Sequence, residues 1–282
     1  MKSACEQRYG SDSVWRDPGR FLTEFIRDLR NSHELAWQLF LRNLKSRYRQ
    51  SITGYIWAFF PPLAWTGLFV ILRLHNSSEP QAQYAYIAHV MVGVVFWQVF
   101  IEAVQTPMRT FSEARSMLAK LKFPREALIA AGLLDVGLQF LIRLPLLFVG
   151  WMLFPEATAH GWWIMPGLLL GVLTVGTCLG IILLPLSLLY QDVAPAVALA
   201  GGFWLLLTPV AHAPAATGLL STITQWNPAA ILVETARASW LGAPMLHVNG
   251  FIIISLGSLV IGLAAWLAAR IAFPHLIARL GS

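Results

Sequence analysis

Charge is what this chain has least of. Only 12% of its 282 residues are Asp, Glu, Lys or Arg, about half of the roughly 25% usual in soluble domains. Meanwhile 57% belong to the hydrophobic set and the mean hydropathy is +0.62. That balance excludes an ordinary water-soluble fold and makes the chain a polytopic membrane protein. Cysteine is scarce too. Cys5 in a polar stretch and Cys178 in an apolar run build neither a disulfide framework nor a zinc ligand pattern. No Gly-Lys dipeptide occurs, so no P-loop can cradle a nucleotide, and neither G-x-S-x-G nor H-E-x-x-H is present. Residues 1–50 lack the apolar core of a signal peptide, which predicts an N-terminus that is not exported.

What is present is length of apolar run. Crossing the roughly 30 Å hydrocarbon core takes about 20 mostly apolar residues at 1.5 Å each. Six stretches answer to that: 54–72, 85–101, 127–154, 162–189, 193–210 and 251–269. The first, fourth, fifth and sixth hold no Asp, Glu, Lys or Arg; the second holds His89 and the third Asp135 and Arg143. Of the 20 Lys and Arg residues, 17 fall in 1–53, 102–126 and 270–282. Basic residues near span ends stay in the cytoplasm, so both termini are expected there, as six crossings require. The predicted fold is all-α: a cytoplasmic tail and interface helix over 1–53, then a six-span domain over 54–282. Segment 211–250 is apolar yet interrupted by Pro214, Pro228 and Pro244. It reads as a pair of re-entrant or interfacial helices on the outer side, where non-helical backbone needs cover by protein or a wet cavity.

Three polar features invite a role. Phe21, Leu22, Phe25, Ile26 and Leu29, then Trp37, Phe40, Leu41, Leu44 and Tyr48, recur at helical spacing, with Arg20, Arg27, Arg30, Arg42, Lys45, Arg47 and Arg49 on the other faces. This predicts an amphipathic helix along the inner membrane surface, either a topology anchor or a platform for a partner and for anionic lipid. Between Pro107 and Pro124, a helix over about 112–123 is predicted, with Ser112 as N-cap, Glu113 in its first turn and Lys120 and Lys122 near its end. It can be an ordinary connection or insert into a groove of another protein. In the third predicted span Asp135, Gln139 and Arg143 stand at i, i+4 and i+8 and share a face. Charges at that depth face the bundle interior or a wet path; clamping a neighbouring helix and lining a translocation route both fit, whereas a proton relay finds no carboxylate in another predicted span to continue it. Gly167-x-x-x-Gly171 and Gly176-x-x-x-Gly180 permit close helix approach. Pro61-Pro62 and Gly201-Gly202 predict kinked or loosened helices. The spans offer mainly one Asp, one Arg and one His, too little for a nucleophile with a base opposite, so no catalysis by this chain is expected.

Five runs resemble one family. RNLKSRYRQSITGYIWAFFPPL (42–63), FWQVFIEA (96–103), SMLAKLKFPREAL (116–128), LLYQDVAPAV (188–197) with LTPV (207–210), and WNPAAILVETARASWLG (226–242) occur in order. They are similar to segments of the membrane subunits of type-2 ABC exporters of O-antigen, capsule and teichoic acid. The resemblance covers nearly everything from about Ser32 onward; residues 1–20 have no counterpart in it. It implies a homodimer in the bacterial inner membrane, serving lipopolysaccharide biosynthesis or a related pathway. Each protomer would bind a cytoplasmic ABC ATPase, two copies in all, which would hold ATP and Mg, so that this chain carries no cofactor or metal itself. The implied cargo is a lipid-linked glycan moved through a channel between protomers; membrane lipids are partners and nucleic acid is not. The helix from Glu113 to Lys122 would be the coupling helix on the ATPase, and 212–245 the periplasmic re-entrant helices.

On that reading, Glu113, Arg115, Met117, Leu118, Lys120, Leu121 and Lys122 are the expected coupling residues. Trp57, Phe59, Phe60, Trp65, Phe96, Trp97, Phe100 and Trp204 are candidates to line the channel, because sugar C–H faces stack on aromatic rings without demanding one register. Arg47, Arg49, Lys120, Lys122 and Arg125 are candidates to attract a polyprenyl diphosphate by charge-assisted hydrogen bonds. Rival readings keep the fold and change the role: a type-2 permease for a drug or small lipid, an integral-membrane enzyme of glycan or lipid assembly, or a structural anchor.

Overall fold

A computed structural model describes residues 32–46, 56–74, 80–120, 124–153, 159–210, 224 and 226–280. Among them the secondary structure is helical, with no strand. Helix α1 covers 32–46. A 3-10 turn, Ile56–Ala58, leads into α2, Phe60–Leu74; then come α3, Pro80–Glu113, the short α4, Arg115–Lys120, and α5, Glu126–Leu153. A second 3-10 segment, Ala159–Ile164, precedes α6, Met165–Leu189, followed by α7, Val193–Leu207, α8, Pro228–Leu241, and α9, Val248–Leu280.

Among the described residues, five segments are long and apolar enough to cross a membrane: Ile56–Arg73, Gln83–Glu113, Glu126–Leu153, Gly161–Leu189 and Val248–Phe273. The predicted span over 193–210 is the exception. Its helix α7 has 15 residues, about 22 Å of rise against a core of roughly 30 Å. The chain turns at Thr208, whose amide donates to the Leu205 carbonyl, so the helix cannot extend through Pro209.

Two further expectations change. Pro61 and Pro62 do not kink the first span: they lie in the first turn of α2, where amides have no partner within the helix and proline does no harm. The region 102–126 is not a loop closed by one helix. Helix α3 runs on through Pro107 to Glu113, and only the six residues of α4 follow. Ser112 is therefore inside α3 rather than an N-cap, and Glu113 ends α3 rather than opening the next helix. Tertiary packing overrides the local proline signal here: Ala103, Val104, Thr106, Met108, Thr110 and Phe111 are all buried, and the Thr106 and Thr110 hydroxyls donate to backbone carbonyls of their own helix. Proline is frequent inside membrane helices, and here close packing on both sides of Pro107 holds the helix together.

Helix α3 is the hub, packing on α2, α5, α6, α7 and α8. In lipid, an apolar side chain gains no hydrophobic free energy by moving from tails to protein, so close backbone approach and polar contacts must hold helices together. The paired glycines of α6 do this within the chain. A β-carbon on Gly176 or Gly180 would meet the α3 backbone at Phe100 and Val104, and one on Gly171 would meet Phe251 and Ser255 of α9; Gly167 faces open space.

Two apolar clusters result. The larger centres on Val90 to Val104 of α3 with parts of α5, α6 and α8. The second joins Ala36, Leu39 and Phe40 of α1 to Phe111, Ala127, Leu128, Leu184, Leu188, Trp266 and Phe273. Thus α1 turns part of its apolar face to protein, while Trp37 is exposed; the earlier apolar set, from Phe21 to Leu29, and Tyr48 lie outside the described residues.

Candidate functional site

The intramembrane polar face on α5 has a counterpart that the sequence reading did not anticipate. Arg143 grips Glu102 of α3 with both terminal nitrogens, Nη2 to Oε1 at 2.5 Å and Nη1 to Oε2 at 3.1 Å. Its Nε donates to the Ala58 carbonyl of the 3-10 turn at 3.1 Å. Farther along, Arg109 of α3 meets Asp135 of α5 at 3.1 Å. Each helix carries an acid first and a base seven or eight residues later, so opposite charges coincide only because α3 and α5 run antiparallel. The spacing of Glu102 and Arg109, two helical turns apart on one face, was the available signal. Setting a loop boundary at residue 102 hid it. The expectation that no second span offers a carboxylate is corrected by Glu102.

These groups, with Trp57, Val136 and Gln139, line a cavity of about 250 Å³. Among the described residues that line it, two guanidinium groups face two carboxylates. A charge removed from water is costly unless paired and hydrogen-bonded, and Arg143, nearly sealed, has partners at all three nitrogens. Among the described residues no group of three or more His, Cys, Asp or Glu could hold a metal ion.

The aromatic candidates separate by exposure. Trp57 and Phe60 are 63% and 60% exposed and meet edge to face at 5.5 Å; Phe59 is half-buried, as is Trp65, which stacks on Phe69. Phe96, Trp97 and Phe100 are sealed inside the larger cluster, where Trp97 and Phe100 pack edge to face on Trp204. A ring buried in the core of the chain cannot face a lumen between protomers in this conformation; Trp97 and Phe100 fasten α3 to α7, and Phe96 packs on Phe140 of α5.

At the opposite end, Asn227 caps α8: its Oδ1 accepts from the Ala229 amide and from Trp204 Nε1, both at 3.1 Å, and its Nδ2 donates to Thr208 at 3.0 Å. Arg237, 6% exposed, donates to the carbonyls of Pro209 and Val210 at 3.2 Å. Trp240 donates to the Leu147 carbonyl at 2.8 Å and stacks on Trp162. Helix α8 is thereby tied to the ends of α5, α6 and α7.

No family model matches the chain. Among curated proteins it is similar to an "O-antigen export system permease protein RfbA" of Klebsiella pneumoniae, 22% identical over 247 residues, which is 84% of this chain and 92% of that protein. It is also similar to a protein of the same description from Myxococcus xanthus, 26% identical over 195 residues, 68% of this chain and 73% of that one. A further Klebsiella pneumoniae protein so described is 23% identical over 77% of this chain and 86% of its own length. These matches support a type-2 ABC exporter permease. With the five membrane-capable helices they also support a multi-pass protein of the bacterial inner membrane.

Three of the expected coupling residues, Arg115, Met117 and Leu118, contact the rest of the bundle. Arg115 donates to the Leu188 carbonyl at the end of α6, at 2.8 Å, and Arg42 of α1 lies 3.6 Å from the Met117 sulfur. Leu118 packs on the second apolar cluster and Glu113 is exposed. Leu121, Lys122 and the side chain of Lys120 lie outside the described residues, as do Arg47 and Arg49. Arg125 is half-buried with its guanidinium over the Phe273 ring, 4.7 Å from the centroid. Burial, and then the charge of Arg270, push its pKa below the ordinary value, while Glu126 pulls it back. Beside it, Glu126 accepts from Trp266 Nε1 at 3.2 Å and pairs with Arg270 at 3.5 Å.

Proposed function

We propose that this chain is the channel-forming membrane subunit of an ATP-driven exporter that moves a lipid-linked, O-antigen-like polysaccharide from the cytoplasm across the inner membrane. What carries the reading is the relatives described as O-antigen export permeases, one of them matched over 92% of its length. The active unit is a homodimer, each protomer held to a cytoplasmic ABC ATPase that binds ATP and Mg. Both termini are cytoplasmic. The short α7 is the sixth crossing, completed on the outer side by the turn at 208–210 and by α8 as a re-entrant helix.

In this mechanism the ATPase works α4. Its docking surface comprises Glu113, Arg115, Met117, Leu118, Lys120, Leu121 and Lys122. Because α4 is tied to α6 through Arg115 and to α1 through Arg42, a push on it reaches two elements at once. Arg47, Arg49, Lys122 and Arg125 attract the carrier's diphosphate at the inner leaflet, and exposed Trp57 and Phe60, with Phe59 and Trp65, face the lumen. The test is co-purification of the full chain with a nucleotide-binding subunit, followed by ATPase assay with and without lipid-linked glycan. Stimulation by the glycan is the expected result; failure to bind any ATPase overturns the reading.

A further inference from the structure

The polar side chains between α3 and α5 exceed what two ion pairs need. On α3, Gln98, Glu102, Gln105 and Arg109 stand at i, i+4, i+7 and i+11, a stripe within about 60° of one face. Glu102 and Arg109 line the cavity with Asp135, Gln139 and Arg143 of α5. Gln98 lies one turn beyond Glu102 and is the central residue of the span Gln83–Glu113. Its side chain is buried, the residue being only 6% exposed, and neither its Nε2 nor its Oε1 has a hydrogen-bond partner among the described residues. Buried polar groups without partners are rare in native proteins, because loss of water without compensation is costly. An amide so placed at mid-membrane calls for a partner that the protein itself does not supply.

Size and hydrogen-bonding chemistry select that partner. A cavity of about 250 Å³ holds several waters, each taking at least about 10–15 Å³. Water donates to carboxylates and amide oxygens and accepts from guanidinium and amide N–H groups, so its fit does not depend on how the charges balance. A lipid tail would satisfy none of them. The stripe also has an entrance. Arg109 keeps 40% of its side chain exposed and stands four residues from the end of α3. We propose that an ordered column of water occupies the seam between α3 and α5, entering beside Arg109 and ending on Gln98 near the middle of the membrane. That water bridges the Gln98 amide to the groups of the cavity and spares the Glu102–Arg143 pair part of the cost of burial. The proposal follows from membrane embedding and does not rest on the cargo.

The test uses the full chain in lipid nanodiscs, with Cys5→Ser and Cys178→Ala so that each added thiol is the only one. A thiol reacts as its thiolate, which forms in water and scarcely among lipid tails. Gln139→Cys, in the cavity, is expected to react with hydroxyethyl methanethiosulfonate, a small neutral reagent, at least about tenfold faster than Leu141→Cys. Leu141 lies two residues along the same helix and is 58% exposed on its outer side. Equal rates overturn the proposal. Thermal unfolding tests the far end of the column. A dry, unpaired amide is a liability, so leucine in its place would raise the melting temperature. An amide that holds ordered water is lost at a cost, and Gln98→Leu is therefore expected to lower it. An unchanged or raised melting temperature overturns the proposal, and this measurement decides even where a cysteine variant fails to fold.

Discussion

Arg143 is the side chain on which the polar cavity most depends. It joins three elements through the Glu102 carboxylate and the Ala58 carbonyl. Removing one partner of a buried pair leaves an uncompensated charge, which costs about 3–5 kcal/mol when sealed. Glu102 keeps about a quarter of its side chain exposed, so Arg143→Met should cost less, about 2–4 kcal/mol after screening. Adding Glu102→Leu should return much of that loss, because the orphaned charge is gone. Thermal unfolding of the detergent-solubilised chain, comparing single and double variants, checks both; equal melting of Arg143→Met and wild type would refute the clamp. At this scale the sequence was half legible. Asp135, Gln139 and Arg143 announced themselves by spacing on an unmistakable span, whereas Glu102 and Arg109 were hidden by Pro107, which reads locally as a helix end.

At the scale of elements, contacts without bulk decide which helices touch. Gly176 and Gly180 let α6 lie against the α3 backbone, whereas Gly167 faces open space. Leucine at 176 or 180 should therefore abolish recovery of monodisperse protein, since a packed interface cannot absorb that volume. Leucine at 167 should be tolerated, and size-exclusion profiles at matched expression distinguish the two. Asn227 is a second such device: it caps α8 and hydrogen-bonds both Trp204 and Thr208. Asn227→Ala should cost the ordinary 0.5–2 kcal/mol of a lost cap and also loosen α8 from α7. Earlier proteolytic cleavage between α7 and α8 is the expected sign. The glycine pairs were visible in the sequence, but their partners were not, because a small-residue stripe has no address until the facing helix is known.

For the whole molecule, topology and charge meet. The proposed six crossings with both termini inside require that a fluorescent protein fused after Ser282 glow and alkaline phosphatase fused there stay inactive; the reverse would undo the proposed direction of transport. Charge reversal at Arg47 and Arg49 should abolish export in cells while ATPase co-purification persists, because those residues are assigned to the carrier lipid and not to the docking helix. Export that continues after both reversals would remove them from the mechanism.

Hydropathy and charge placement by themselves determined that the chain is helical and membrane-embedded, where its long spans fall, and which segments carry its basic residues. Those are local properties, summed along one stretch of chain against one solvent. Only the tertiary structure decided that α3 continues past Pro107, that α7 stops at Leu207, and that the acid–base orders of α3 and α5 interlock. It also buried Phe96, Trp97 and Phe100 while leaving Trp57 and Phe60 open. Each of these depends on which faces oppose across a helix interface, and in lipid that choice is made by close packing and paired charge rather than by apolarity, which nearly every residue here shares.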